Sequence, residues 1–353
     1  MKKLKILGVC QGQGALLFPL KKYVVGNIEP RGCFHTPKEE QWKINFGEIP
    51  FVRSYEEFIN HYEGKIDVIL SSANCGASSV LSYSRKKSLG KPKEDATITL
   101  LIEMIKLYKP KLFILENLPR LLDLFPLTEW EEILPDYEFI VHNHSVMEFG
   151  NSQKSRKRLI LIGFKKKLSS KFKNVFTNIF QVNTPKFTRE LLECSRQYTI
   201  FNYHEADNKK VPMYDYREKE NGNLTLKQIK KLWTTDFKDH YKWPVNSARM
   251  KTLPGVYRNH LDKYPMTVRP SSRQFNPDGS IMGIRDYLVI QGFPNKFKVY
   301  IDEDNLGYWI NKARIALTKG PVYEIGLWIK KNLSKIKFFS FWIYIYIYLF
   351  SLL

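Results

Sequence analysis

Several short stretches of this chain combine residue types and spacings that can do chemistry. Asp67-Val-Ile-Leu-Ser-Ser-Ala-Asn-Cys75 sets a cysteine just past an apolar run, before the small residues Gly76-Ala-Ser-Ser79 and a basic loop holding Arg85, Lys86, Lys87 and Gly90. A cysteine in apolar surroundings is usually a core residue, whereas one at the carboxyl end of a strand beside cations is placed to become a thiolate nucleophile. Lys109-Pro-Lys-Leu-Phe-Ile-Leu-Glu116-Asn117-Leu118 puts a carboxyl straight after an apolar strand. Desolvation there raises a pKa and makes a proton donor, although a solvated strand-end Glu has the same appearance. Further on, Arg156 and Arg158 lead into the apolar run Leu159–Gly163. Near the start, Gly12-Gln13-Gly14 follows a first strand, and Glu29 follows a second. A glycine turn lets the backbone approach a nucleotide-like ligand, and a strand-end acid suits ribose hydroxyls. Taken singly, G-x-G is an ordinary turn and Glu29 an ordinary surface residue.

Positioning these groups requires an α/β fold with a mainly parallel sheet, because strand-like runs alternate with helical stretches. The strands are expected over Leu4–Val9, Tyr23–Ile28, Asp67–Ser71, Leu112–Leu115 and Leu159–Phe164, with a helix over Ala96–Leu107 ending at Lys109-Pro110. Around Lys165 the texture becomes polar, Lys-rich and aromatic, and regular periodicity resumes near Met266. The expected organisation is residues 1–164 as the cofactor-binding catalytic domain and 165–265 as a small irregular insert. Residues 266–333 return to the first domain, and 334–353 form an apolar low-complexity tail. The run Phe338–Leu353 is uncharged, short for a membrane-spanning helix, and alternates Ile and Tyr with strand period. An extension without a folded role is the preferred reading, and contact with a membrane is the minority one.

The formal net charge is +21 and the isoelectric point about 9.6. Such an excess of Lys and Arg favours a polyanionic partner, nucleic acid ahead of an acidic membrane surface. Translation of an AT-rich genome accounts for part of it. The four cysteines, Cys10, Cys33, Cys75 and Cys194, are widely spaced with no C-x-x-C pair. They suggest neither a metal site nor a disulfide framework, and point to a reducing intracellular setting, cytoplasmic or nucleoid-associated.

In order, these segments resemble the DNA cytosine-5 methyltransferase family over most of the chain. GVCQGQG looks like the first-strand cofactor turn, GNIEP with NFGE like the ribose segment, and SSANCGASS like the Pro-Cys-Gln loop. KPKLFILENL looks like the Glu-Asn-Val strand and GNSQKSRKRLILIG like the Gln-x-Arg-x-Arg segment. Gly283-Ile-Arg285-Asp286 with Ile290-Gln-Gly-Phe-Pro294 resembles the segment after the target-recognition region. The resemblance implies a Rossmann-like, S-adenosylmethionine-dependent methyltransferase domain plus a target-recognition domain, acting as a monomer on double-stranded DNA without a metal. It implies Cys75, Glu116, Asn117, Arg156 and Arg158 as catalytic residues. Cys10, Gln11, Gly12, Gly14, Glu29, Pro30, Ser72, Asn74, Lys319 and Gly320 would hold the cofactor. Ser79, Arg85, Lys86, Lys87, Arg269 and Arg273 would contact DNA, with Val80–Asp95 as a lid and Lys165–Pro265 reading the major groove.

The departures fall at the site. Asn74 replaces a proline, Gly76 a glutamine, Gly8 an aspartate, Cys10 a phenylalanine and Arg53 an acidic residue. Thr318-Lys319 replaces Gly-Asn, and one extra residue separates Gln153 from Arg156. Such divergence suits a viral or phage enzyme working in a host cell, with or without a partner endonuclease. The rival functions are an inactive DNA-binding relative and an RNA cytosine-5 methyltransferase. A third, resting on Lys319, is transfer of a carboxymethyl group from a carboxylated cofactor.

Overall fold

The computed structural model describes residues 4–30, 39–73, 96–188, 190–191, 257–258, 263–265, 267–268, 274–275, 284–294, 296–299, 317 and 320–350. Its centre is a seven-stranded sheet of β1 (Ile6–Val9), β2 (Val24–Ile28), β3 (Phe51–Val52), β4 (Val68–Ser71), β5 (Leu112–Asn117), β6 (Tyr137–Ser145) and β7 (Lys157–Lys165). The spatial order is β3-β2-β1-β4-β5-β7-β6. The first five strands are parallel, while β7 runs antiparallel between β5 and β6. A second, two-stranded sheet pairs β8 (Tyr257–Arg258) with β9 (Gln274–Phe275).

Alternation of side chains along each strand divides the core into two layers. Ile6, Val68, Leu70, Leu112, Ile114, Ile160 and Ile162 belong to one layer. Leu7, Val9, Ile69, Phe113, Leu115, Leu159 and Leu161 belong to the other. Both faces are covered, which is why these strands read as unbroken apolar runs. On the second face lies the helix Ala96–Tyr108, whose Ile98, Leu101, Met104 and Ile105 are buried at helical spacing. It stops at Lys109, which takes a positive φ of 45° before Pro110.

On the first face pack two helices, Ser169–Phe176 and Tyr323–Phe350. The former lends Phe172, Val175 and Phe176 to the core, so the body continues well past the change of texture at Lys165. The latter buries Ile325, Trp328, Ile329 and Leu333 through its first turns, with Val322 just before it. It then continues as helix to Phe350, so the Ile–Tyr alternation read as strand period is carried by helical backbone. Among the described residues, no helix is long and apolar enough to cross a membrane.

The topology fixes where a site can form. From β1 the chain winds outward to β2 and β3 and then crosses back to β4 on the other side of β1. The crevice beyond the carboxyl ends of β1 and β4 is therefore a switch point, where ligands bind in such sheets. Because β7 is reversed, its first residues lie at that same edge: Leu159 pairs with Asn117 and Ile160 with Glu116.

Gly163 pairs with Phe113 across β5 and β7, and a Cβ at 163 would overlap the Phe113 ring. Gly163→Ala should lower stability by about 1–3 kcal/mol, the range for overpacking a filled core. A urea unfolding midpoint unchanged from the parent would contradict this packing.

Candidate active site

The turn after β1 is built on left-handed backbone. Cys10, Gly12 and Gly14 have φ of 55°, 56° and 78°. At Gly14 a side chain would also lie 2.7 Å from the Phe46 ring, so the third position admits only glycine. The turn is held by Cys10 N–H donating to Ile28 O at 2.9 Å and Gly14 N–H to Gln11 O at 2.9 Å. Gly8 is explained by packing, because a Cβ there would sit 2.6 Å from Asn27 Oδ1 and Leu17 Cδ1.

Glu29 closes the turn from the end of β2. Its carboxylate accepts from Gly12 N–H at 3.0 Å and from Asn27 Nδ2 at 3.3 Å. Burial pushes the Glu29 carboxyl up to about 7, against the pull of the Gly12 N–H, Asn27 and Arg53. Arg53 stacks on Phe51, 4.7 Å from the ring centroid, and reaches Glu29 O at 3.4 Å. Within the turn, the Gln11 side chain is buried with neither amide atom partnered. A buried amide so placed fits a polar ligand that supplies both a donor and an acceptor. Glu29, the turn N–H groups and Gln11 thus suit the ribose and amino-acid portions of S-adenosylmethionine.

At the adjacent strand ends sits Glu116, in the last turn of the ladder between β5 and β7 and buried. One carboxylate oxygen accepts from Ser72 Oγ at 2.9 Å, and the other lies 2.8 Å from Arg158 Nε. Burial raises the Glu116 carboxyl above its ordinary range, with Arg158 foremost among the groups drawing it back. The result is a carboxyl that can hold a proton and is aimed by two partners. Ser72, expected to meet the cofactor, donates to Glu116. Asn117 donates to Ala73 O at 3.1 Å and accepts from Leu118 N–H at 2.8 Å. It thereby pins the chain two residues before Cys75.

Arg156 is buried, and its charge joins that of Arg158 in drawing the Glu116 carboxyl down. Its guanidinium donates to Val268 O at 3.2 Å and Gly320 O at 2.7 Å, tying the returning C-terminal segment to the body. Just before Arg156, Ser155 takes a left-handed φ of 64°. Gln153 is also buried: its amide donates to Gln291 Oε1 at 2.7 Å and accepts from Val268 N–H at 3.0 Å. Gln291 in turn donates to Leu317 O, and Asn151 donates to Ile290 O at 3.0 Å and Glu324 Oε2 at 2.9 Å. Asn151 and Glu324 escaped the sequence reading, because nothing local distinguishes them from solvated residues.

Pro30 is half-buried beside Glu29. Cys75, Asn74, Ser79, Arg85, Lys86, Lys87, Arg269, Arg273 and Lys319 lie outside the described residues. Among the described residues, no group of three His, Cys, Asp or Glu side chains could hold a metal ion.

Burial holds the Glu324 carboxyl at about 7, against 4.5 for an unperturbed glutamate. The fold therefore prefers the protonated form, and stability is lost as pH rises from the lower value through the higher. The free energy involved is about 3 kcal/mol. Glu324→Gln keeps an acceptor for Asn151 and removes the titration. Urea unfolding should find the variant more stable than the parent at about pH 8 and similar at about pH 5. Equal destabilisation at both would contradict a buried, titrating carboxyl.

Comparison with known proteins places this geometry. The profile of the C-5 cytosine-specific DNA methylase family matches residues 35–310. The chain is 28% identical over 140 residues to the type II methyltransferase M.Bpa9945I of Bacillus paralicheniformis, a match covering 36% of this chain and 32% of that protein. It thus spans about a third of that relative's length. An E. coli prophage-encoded protein assigned as a DNA modification methyltransferase superimposes with a TM-score of 0.59 at 16% identity, covering 94% of this chain and 99% of that one. The Entamoeba histolytica methyltransferase EhMeth gives 0.56 at 15% identity, covering 94% and 98%. The fold is that of S-adenosylmethionine-dependent methyltransferases, and the chain belongs to the C-5 cytosine-specific DNA methylase family.

Proposed function

We propose that this protein transfers a methyl group to carbon 5 of cytosine in double-stranded DNA, through a covalent bond between Cys75 and a flipped base. The observation that carries the proposal is the buried Glu116, set 2.8 Å from Arg158 and 2.9 Å from Ser72 at the sheet's carboxyl edge. A proton-holding carboxyl beside a cation is what an attack on a cytosine ring requires.

The base leaves the stack at a cost of a few kcal/mol and enters the crevice beside β4 and β5. The Cys75 thiolate adds to carbon 6. Glu116 gives its proton to ring nitrogen 3, and the electrons of the 5,6 double bond become available at carbon 5. Arg158 holds the base's carbonyl oxygen while keeping the Glu116 carboxyl oriented. S-adenosylmethionine, when bound, supplies an electrophilic methyl group on a sulfonium. With the methyl group on carbon 5, that carbon's remaining proton passes to water in the crevice, the electrons it leaves re-form the 5,6 double bond and expel Cys75 as a thiolate, and nitrogen 3 returns its proton to Glu116. Splitting one substitution into addition and elimination lowers each barrier. The +21 net charge supports a polyanionic substrate. Residues 80–95 would close on DNA and the insert would read its sequence.

Duplex DNA bearing 5-fluorocytosine tests this proposal. Fluorine cannot leave as a cation, so elimination stalls and a denaturation-resistant complex should accumulate only with S-adenosylmethionine present. Cys75→Ala should abolish it, Cys10→Ser should leave it, and Glu116→Gln should slow it by about a hundredfold or more. Methylation or trapping by Cys75→Ala would overturn the nucleophile. Cofactor binding should strengthen as pH rises through about 7, when Glu29 becomes a carboxylate, and Glu29→Gln should flatten that dependence. Calorimetric titration across that range would read it; a parent whose affinity ignores pH would contradict the role of Glu29.

A further inference from the structure

A pocket of about 440 Å³ opens on the flank of the body, between the 3-10 turn Phe18–Tyr23, the helix Glu39–Phe46 and the helix beginning at Tyr323. Lys21, Lys22, Lys296 and Lys330 line it together with Phe18 and Asn45, and among the described residues no carboxylate lines it. All four lysines are exposed. Elsewhere Lys43, Lys111 and Lys173 pair with Glu39, Asp67 and Glu138. None of the pocket lysines has such a partner among the described residues. Lys22 Nζ rests 4.9 Å from the Tyr23 ring centroid and Lys296 Nζ 5.9 Å from that of Phe18. Asn45 is already committed to Gln41 O at 3.1 Å and to Lys298 O at 2.7 Å.

Four lysine side chains lining one concavity give it a positive potential that an anion complements. The volume falls in the range of small-molecule sites. A duplex lays single phosphates along a convex surface, whereas a chain of adjoining phosphates brings several charges into one such hollow. Lysines, as mobile point charges, suit such a chain. The turn that carries Lys21 and Lys22 leads away from Cys10–Gly14 to the start of β2, so the pocket is distinct from the cofactor turn.

We propose that this pocket is a binding site for a compact polyphosphate anion, either a nucleoside triphosphate or an inorganic polyphosphate chain. Calorimetry with ATP and with tripolyphosphate, at physiological ionic strength and with S-adenosylmethionine saturating, tests it on the full chain. Both should bind. The combined variant Lys21→Gln, Lys22→Gln, Lys296→Gln, Lys330→Gln should lose roughly tenfold or more in affinity for each. The corresponding four-arginine variant should retain binding, and the glutamine variant should keep its melting temperature and its affinity for duplex DNA. Tighter binding of ATP would identify a nucleoside triphosphate; equal binding would identify the phosphate chain alone. The proposal falls if neither ligand binds the parent, or if both bind the glutamine variant as well as the parent. It falls equally if the variant loses affinity for duplex DNA as much as for the small anions.

Discussion

The contact between Glu116 and Arg158 is the constraint on which the site depends. Both side chains are buried, and their charged atoms lie 2.8 Å apart. Burying two ions costs several kcal/mol each, and that cost is offset only when geometry and further hydrogen bonds are good. Ser72 provides one of those bonds from the end of β4. The pairing exists because β7 runs against β5, which brings the residues entering β7 to the edge where β5 ends. A parallel seventh strand would deliver Arg158 to the opposite edge. Strand direction, rather than proximity in sequence, thus assembles carboxyl and guanidinium from positions forty-two residues apart.

A second buried polar system secures the first. Asn151, Gln153, Gln291 and Glu324 interlock with the main chain at Ile290, Leu317 and Val268. Arg156 adds bonds to Val268 and Gly320. Through these contacts the segment that returns after the insert is fastened to the residues leading into β7. Most members are satisfied, as a network in low dielectric must be if it is to favour one arrangement. Gln153 and Arg156 thus join the returning segment to the body, while Arg158 Nε lies 2.8 Å from the Glu116 carboxylate.

Much of this was legible from residue order. The strands β1, β2, β4, β5 and β7 announced themselves as apolar runs because both faces of the sheet are covered. Glu116 and Arg158 were evident as polar residues at strand ends. By contrast β6 is an edge strand, half-exposed, whose His142, Asn143 and His144 break the alternation. It exists through its nine-residue pairing with β7, which no local pattern encodes. The helix Ser169–Phe176 hid within a Lys-rich stretch, because only Phe172, Val175 and Phe176 reach the core. The tail's Ile–Tyr alternation misled because helical continuation from Tyr323 overrides a period that carries little preference on its own. The left-handed backbone at Ser155 could not be foreseen, since nothing in a serine's local sequence calls for it.

The proposed activity is methylation of cytosine in duplex DNA. Bisulfite sequencing of duplex DNA and of tRNA, each incubated with the purified protein and S-adenosylmethionine, tests it directly. Protected cytosines are expected in the duplex, confined to a recurring sequence context and absent when Glu116→Ala replaces the parent. A duplex in which every cytosine is converted, or protection confined to the tRNA, would contradict it.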